Sequence, residues 1–161
     1  MAETWEQLQR QLGPCEVAEF EDEVVRRWTR PAALAGTALP FDLQFVGEGA
    51  RSSPPDAGLL ARWEGYAARH AEHAAWFARA IVAEYHHVFW EGRRPDPRFP
   101  VGLPDRDILA LVETALVELR TTDDSADRTL AVIFEFAWDQ SHEYACDFDE
   151  ENGAFLPLEK R

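Results

Sequence analysis

A chain of 161 residues, 46% of them apolar, is long enough for one domain with a real core and too apolar for disorder along its whole length. Its formal charge of −14 speaks against binding the phosphate backbone of nucleic acid, which needs clustered Lys and Arg, and against docking on an anionic membrane. No apolar run approaches the roughly 18 residues of a membrane span. The polar start Met1-Ala2-Glu3-Thr4-Trp5-Glu6 lacks the form of a signal or transit peptide, so the expected location is the cytoplasm, with Cys15 and Cys146 reduced.

The first element in the chain is a short helix over residues 4–12. Thr4 caps it, Gln7 completes a capping box, and Gly13-Pro14 ends it. Val17, Phe20, Val24 and Val25 suit strands between Gly13-Pro14 and Pro31, followed by a loop over 31–38. Phe41-Asp42-Leu43-Gln44-Phe45 alternates apolar and polar residues, the pattern of a half-buried strand. A Gly/Ser/Pro-rich loop over 47–55 leads into the strongest signal. Leu59, Trp63, Tyr66, His70, Ala74, Phe77, Ile81, Tyr85 and Val88 recur at steps of three and four, which predicts one long amphipathic helix with Pro55 in its first turn.

Residues 91–104 form a Pro/Arg-rich connection through which no helix can run. Pro104-Asp105 opens a shorter helix with Ile108, Leu109, Leu111 and Val112 as its apolar side, and residues 115–120 suit a strand. The remaining chain reads as a meander. Leu130, Val132, Phe134, Phe136 and Trp138 alternate with other residues, as do His142, Tyr144, Cys146 and Phe148, and Asn152-Gly153 marks a hairpin turn. Strands grouped at both ends with helices between them predict an α+β fold. It is a single domain over 1–161, with a mostly antiparallel sheet and a C-terminal β-meander packed on one long and one or two shorter helices.

Charge is unevenly placed. Residues 121–161 carry eleven acids against Arg128, Lys160 and Arg161, and residues 16–23 carry five acids and no base. Such runs are solvated faces first and binding surfaces second. The candidate partner-binding residues are Asp139, Glu143, Asp147, Asp149, Glu150 and Glu151. His70 and His73 lie at i and i+3 on one helix and are the candidate metal ligands. The metalloprotease signature needs i, i+4 spacing, so a buried, hydrogen-bonded His70 is the simpler reading. The run 147–153 opens like a calcium loop but has Asn152 at the sixth position and Leu158 at the twelfth, so an acidic hairpin fits it better. Ser141, His142 and their neighbouring carboxylates lie too close in sequence for a catalytic triad, and no nucleophile elbow or phosphate loop occurs. Arg93, Arg94, Arg98 and Arg106 form one basic cluster, which could answer the acidic hairpins within the fold or in a dimer, or hold an anionic ligand; the internal pairing is the simpler reading. No cofactor is expected.

The segment Trp138-Asp139-x-x-His142, set between an apolar strand and an Asn-Gly turn, resembles the signature of a bacterial domain family of unknown function. That family carries Trp-Asp-Glu-Glu-His-Gly there. Gln140, Ser141 and Glu143 depart from the pattern. The strand at 41–45, the long helix and the Leu103-Pro104-x-x-Asp107-Ile108-Leu109 helix start also follow the family's order. The resemblance implies no established activity. By analogy, small domains of this kind look similar to immunity proteins encoded beside bacterial toxins. The expected function is therefore that of an acidic cytoplasmic binding protein, an immunity-type inhibitor of a basic toxin. A metal-dependent enzyme using His70, His73 and a nearby carboxylate, or a structural or regulatory homodimer joined through exposed aromatics such as Trp76 and Trp90, are the alternatives.

Overall fold

The computed structural model describes residues 4–49, 54–90, 96–122 and 128–161. In chain order these form α1 (Trp5–Leu12), β1 (Glu16–Glu19), β2 (Glu23–Trp28), a 3-10 turn (Ala32–Leu34) and β3 (Asp42–Glu48). Then come α2 (Ala57–Ala68), α3 (His70–Trp90), α4 (Asp105–Leu109), β4 (Val112–Thr121), β5 (Arg128–Phe136), β6 (Asp139–Asp149), β7 (Ala154–Phe155) and β8 (Glu159–Lys160). The fold is α+β. The strands join one sheet in the order β1-β2-β3-β4-β5-β6-β7, and β8 also pairs with β6.

Every neighbouring pair is antiparallel except β3 and β4, which run parallel in the register Leu43↔Val117 and Phe45↔Leu119. The exception has a physical cause. Parallel strands cannot be joined by a tight turn, and the three helices between β3 and β4 supply the long crossover they require.

Strand alternation gives the sheet two unlike faces. Trp28, Leu43, Phe45, Val117, Leu119, Val132, Phe134, Phe136, Tyr144 and Cys146 point to the helical side and are buried with Leu8 of α1 and Leu59, Trp63, Phe77 and Ile81 of α2 and α3. A second cluster joins Tyr85, Phe89, Phe99 and Ile108, with Trp138 packed against it. On the other face only Leu116, Ile133 and Ala145 form a buried cluster, and no described helix contributes to it.

Charged side chains occupy the same face towards β2. Arg120 of β4 reaches Glu23 of β2 (3.0 Å), Glu48 of β3 and Glu118 of its own strand (3.2 Å), and Gln44 donates to Glu118 (2.9 Å).

Four sequence expectations are corrected. The predicted single long helix breaks at Arg69, which leaves the helical conformation at φ −117°, ψ 12°, and separates α2 from α3. Its first turn is capped by Asp56, whose Oδ1 accepts the Leu59 N–H (2.9 Å), so Pro55 stands before the cap and not inside the turn. The buried stripe ends on Phe89 and not on Val88. The helix starting at Pro104 stops at Leu109, and Val112 already opens β4, which starts earlier than residue 115 and has a register shift between Val112 and Thr114. The expected capping box at Thr4 and Gln7 is present, with Thr4 N–H donating to Gln7 Oε1 (2.7 Å).

Candidate functional site

Ala137 and Trp138 form the turn between β5 and β6, and Asp139 opens β6. Ala137 N–H donates to the Leu111 carbonyl (2.9 Å), tying the turn to the chain between α4 and β4. The Trp138 ring stacks on Phe136 (centroids 4.2 Å apart, planes 9° from parallel) and meets Tyr85 edge-on (5.2 Å). Its Nε1 is buried and has no hydrogen-bond partner among the described residues.

Asp139 sits beside it with a side chain only 14% exposed. Burial works against its charge, but three donors more than compensate. His142 Nδ1 donates to Oδ1 (2.8 Å), and Lys160 Nζ (2.6 Å) and Tyr144 Oη (2.9 Å) donate to Oδ2, holding the carboxyl well below its usual range. A carboxylate so stabilised as an anion is a poor proton acceptor. It acts as a clamp that fastens β8 and the β5–β6 turn together. A cleft of about 440 Å³ runs past this clamp, between Val88 and Phe89 of α3, Arg98, Trp138, Tyr144 and Lys160.

The other expected binding acids fall in three kinds of place. Asp147 pairs with Arg161 (2.5 Å and 2.7 Å), Glu150 pairs with Arg62 of α2, and Asp149 Oδ1 accepts the Glu151 and Asn152 N–H groups (3.0 and 3.3 Å) to shape the turn before β7. These are internal duties. Glu151 is exposed at the turn. Glu143 lies on the helix-free face, directly across from Glu135 of β5.

Like charges facing each other across a ladder are destabilising, so this pair has a cost that the fold tolerates. Glu113 joins them. The three glutamates come from β4, β5 and β6 and line a shallow depression with Gln140, Ser141 and His142. Thr114 Oγ1 donates to Glu135 (2.5 Å) and Gln140 Nε2 to Glu113 (3.3 Å), while Arg161, whose guanidinium pairs with Asp147, also attracts Glu143.

Sequence reading missed Glu113 and Glu135. The signal for Glu135 was present, since Glu135 and Glu143 stand equidistant from Asp139 along a hairpin. Glu113 needed the β4–β5 register, which no local pattern reveals. The roles of Lys160, Arg161 and Tyr144 as partners of Asp139 and Asp147 were missed for the same reason.

The histidines are placed differently from a metal site. His70 is 4% exposed. Its Nε2 donates to the Leu34 carbonyl (3.2 Å) and its Nδ1 accepts from Tyr66 Oη (3.0 Å), so both ring nitrogens are engaged. His73 stacks on Tyr66 (5.3 Å, 18°) and meets Phe155 edge-on (5.1 Å). Among the described residues no group of three His, Cys, Asp or Glu side chains could hold a metal ion.

Of the Arg cluster, Arg98 pairs with Asp96 (2.8 Å) and Arg106 with Asp107 (3.3 Å), both within their own segment, while Arg93 and Arg94 lie outside the described residues. Trp76 is half-buried against Phe77, and Trp90 is exposed. No described helix is long and apolar enough to cross a membrane. Comparison with protein-family models, curated proteins and solved structures finds no match.

Proposed function

We propose that this chain is an acidic binding protein of the cytoplasm that holds a basic protein partner, in the manner of an immunity-type inhibitor held against a toxin. The observation that carries the reading is the Glu113, Glu135 and Glu143 group on the helix-free face, including one pair of glutamates directly opposed across β5 and β6. An arrangement that lowers stability, and whose nearby Arg161 is already committed to Asp147, is suited to a further cation supplied by a partner. The chain's −14 charge would steer such a partner at long range. Among the six acids expected from sequence, Glu143 and Glu151 are the ones placed to contribute directly. Asp139, Asp147, Asp149 and Glu150 would act by holding the β6–β8 region in shape.

The test is co-expression with the products of neighbouring genes, followed by pull-down at low and high salt. A stoichiometric complex with a basic neighbour is expected. Glu135→Lys combined with Glu143→Lys should weaken it at least tenfold and flatten its salt dependence. A complex indifferent to both substitutions and to salt would refute the surface and its electrostatic basis.

A further inference from the structure

The opposite end of the sheet presents a second surface, three strands away from the glutamate group. β1 is the terminal strand of the sheet order, and all four of its residues are exposed. Its hydrogen bonding can be assigned by alternation. Phe20 N–H donates to the Glu23 carbonyl (2.8 Å), so the Phe20–Glu23 pair is hydrogen-bonded and the next pair, Glu19–Val24, is not. Ala18 and Glu16 therefore bond to β2, while the N–H and C=O groups of Val17 and Glu19 point outward from the sheet.

Beside this open backbone stand Val17 (55% exposed) and Phe20 (60% exposed), which successive alternation places on opposite faces of the ribbon. Around them are Glu16, Glu19, Glu21 and Asp22, with no base between residues 16 and 23; across the ladder Arg27, itself paired with Asp42, stands opposite Glu16, and Arg26 stands opposite Val17.

We propose that β1 is a docking edge for an extended, Lys/Arg-bearing segment of a partner protein, which adds to the sheet as a further strand. Proteins protect free edges by making them short and charged, and β1 is both. Protection alone would not call for two large apolar side chains flanking the open backbone. Those side chains give an added strand apolar contact on both of its faces, while the outward groups of Val17 and Glu19 give it main-chain bonds.

Charge selects among occupants. A second copy of this chain pairing β1 to β1 would set Glu16 and Glu19 against their own kind, which is unfavourable, and an acidic strand would fare no better. A strand that carries both basic and apolar residues on each of its faces meets both features. This inference uses a different element from the glutamate group and stands or falls apart from it.

The probe is a synthetic peptide of repeated Lys-Lys-Val-Val, which as a strand puts both residue types on each face, titrated into the isotope-labelled full chain and followed by amide NMR and hydrogen exchange. Shifts centred on residues 16–20, with slowed exchange at the Val17 and Glu19 amides, are expected. Val17→Pro removes one outward donor without touching a β1–β2 bond, as an edge strand tolerates. It should weaken the peptide about tenfold, the worth of one backbone hydrogen bond. Val17→Ile, which keeps both the N–H and the apolar β-branched side chain, should bind within about twofold.

Should Val17→Pro disturb the fold, Glu16→Lys with Glu19→Lys replaces it and should reverse the preference towards a Glu/Val peptide. Shifts confined to Glu113, Glu135 and Glu143 would overturn the edge proposal and leave the glutamate surface standing. Binding unchanged by Val17→Pro, no binding at all, or self-association through β1 would each overturn it too.

Discussion

His70 occupies a position where its charge state matters. It lies at the start of α3 among Phe41, Tyr66 and Leu34, and its ring donates from Nε2 and accepts at Nδ1, which only the neutral form can do. Burial lowers its pKa from the ordinary 6.5. The Leu34 bond partly opposes this, and His73 nearby adds to the lowering. Burial and then Arg69 also lower His73.

For a group whose folded pKa lies below its unfolded one, the unfolded chain takes up the proton first as the solution is acidified. Stability contributed by the neutral ring is therefore complete above pH 6.5 and declines as pH falls below it. The urea midpoint should drop between pH 6.5 and 5, and His70→Gln should reduce that slope. An unchanged slope in the variant would assign the effect elsewhere. His70→Ala at neutral pH should cost about 3 kcal/mol, because it opens a cavity and leaves the Leu34 carbonyl and Tyr66 hydroxyl without their partner.

The thiols differ in the same residue-level way. Burial, assisted by Asp147, pushes Cys146 up to about 12, while Cys15 is only half-buried. A thiol reagent at pH 7 should label Cys15 in the native protein and reach Cys146 only on unfolding.

At the scale of elements, the most readable parts were those whose signal is local. The Thr4 capping box needs only four residues, and it is present as expected. The stripe from Leu59 to Tyr85 predicted the buried helical face correctly, yet it hid the break at Arg69. A single non-helical residue shifts the register too little to move Tyr66, His70 or Ala74 out of the core, and no Gly or Pro marks the spot. The parallel β3–β4 pair and the three-strand grouping of Arg120 with Glu23, Glu48 and Glu118 come from long-range register, which alternation cannot supply. The glutamate depression was half visible for the same reason, since Glu143 was singled out and its cross-strand neighbours were not.

Arg120 gives this scale its prediction. It is 28% exposed and answers three carboxylates of 31%, 34% and 13% exposure. Arg120→Met keeps an apolar stem of similar length but strands the carboxylates beside one another. With allowance for solvent screening, thermal or urea denaturation should register a loss of about 2 kcal/mol. A smaller loss in Glu118→Gln with Arg120→Met than in Arg120→Met alone would identify carboxylate repulsion as the cause.

For the whole molecule, the same charge should act in opposite directions on folding and on binding. A net charge of −14 repels itself in the compact state, and Glu135 facing Glu143 concentrates that repulsion at one point of the sheet. Salt screens it, so raising NaCl from about 20 mM to about 500 mM should raise the melting temperature by a few degrees. Glu135→Gln should imitate part of this, adding about 0.5 kcal/mol of stability at low salt and less at high salt, because the amide can still accept from Thr114.

A partner held by the glutamate surface responds the other way. Screening that relieves the free protein weakens the attraction in the complex, so the same salt increase should lower affinity at least tenfold, with Glu135→Gln binding more weakly than wild type at low salt. The two trends cross only if the glutamates serve recognition. A Glu135→Gln variant more stable than wild type and equally good at binding would mean that the repulsion is solvated surface charge, and that the partner is held elsewhere on the molecule.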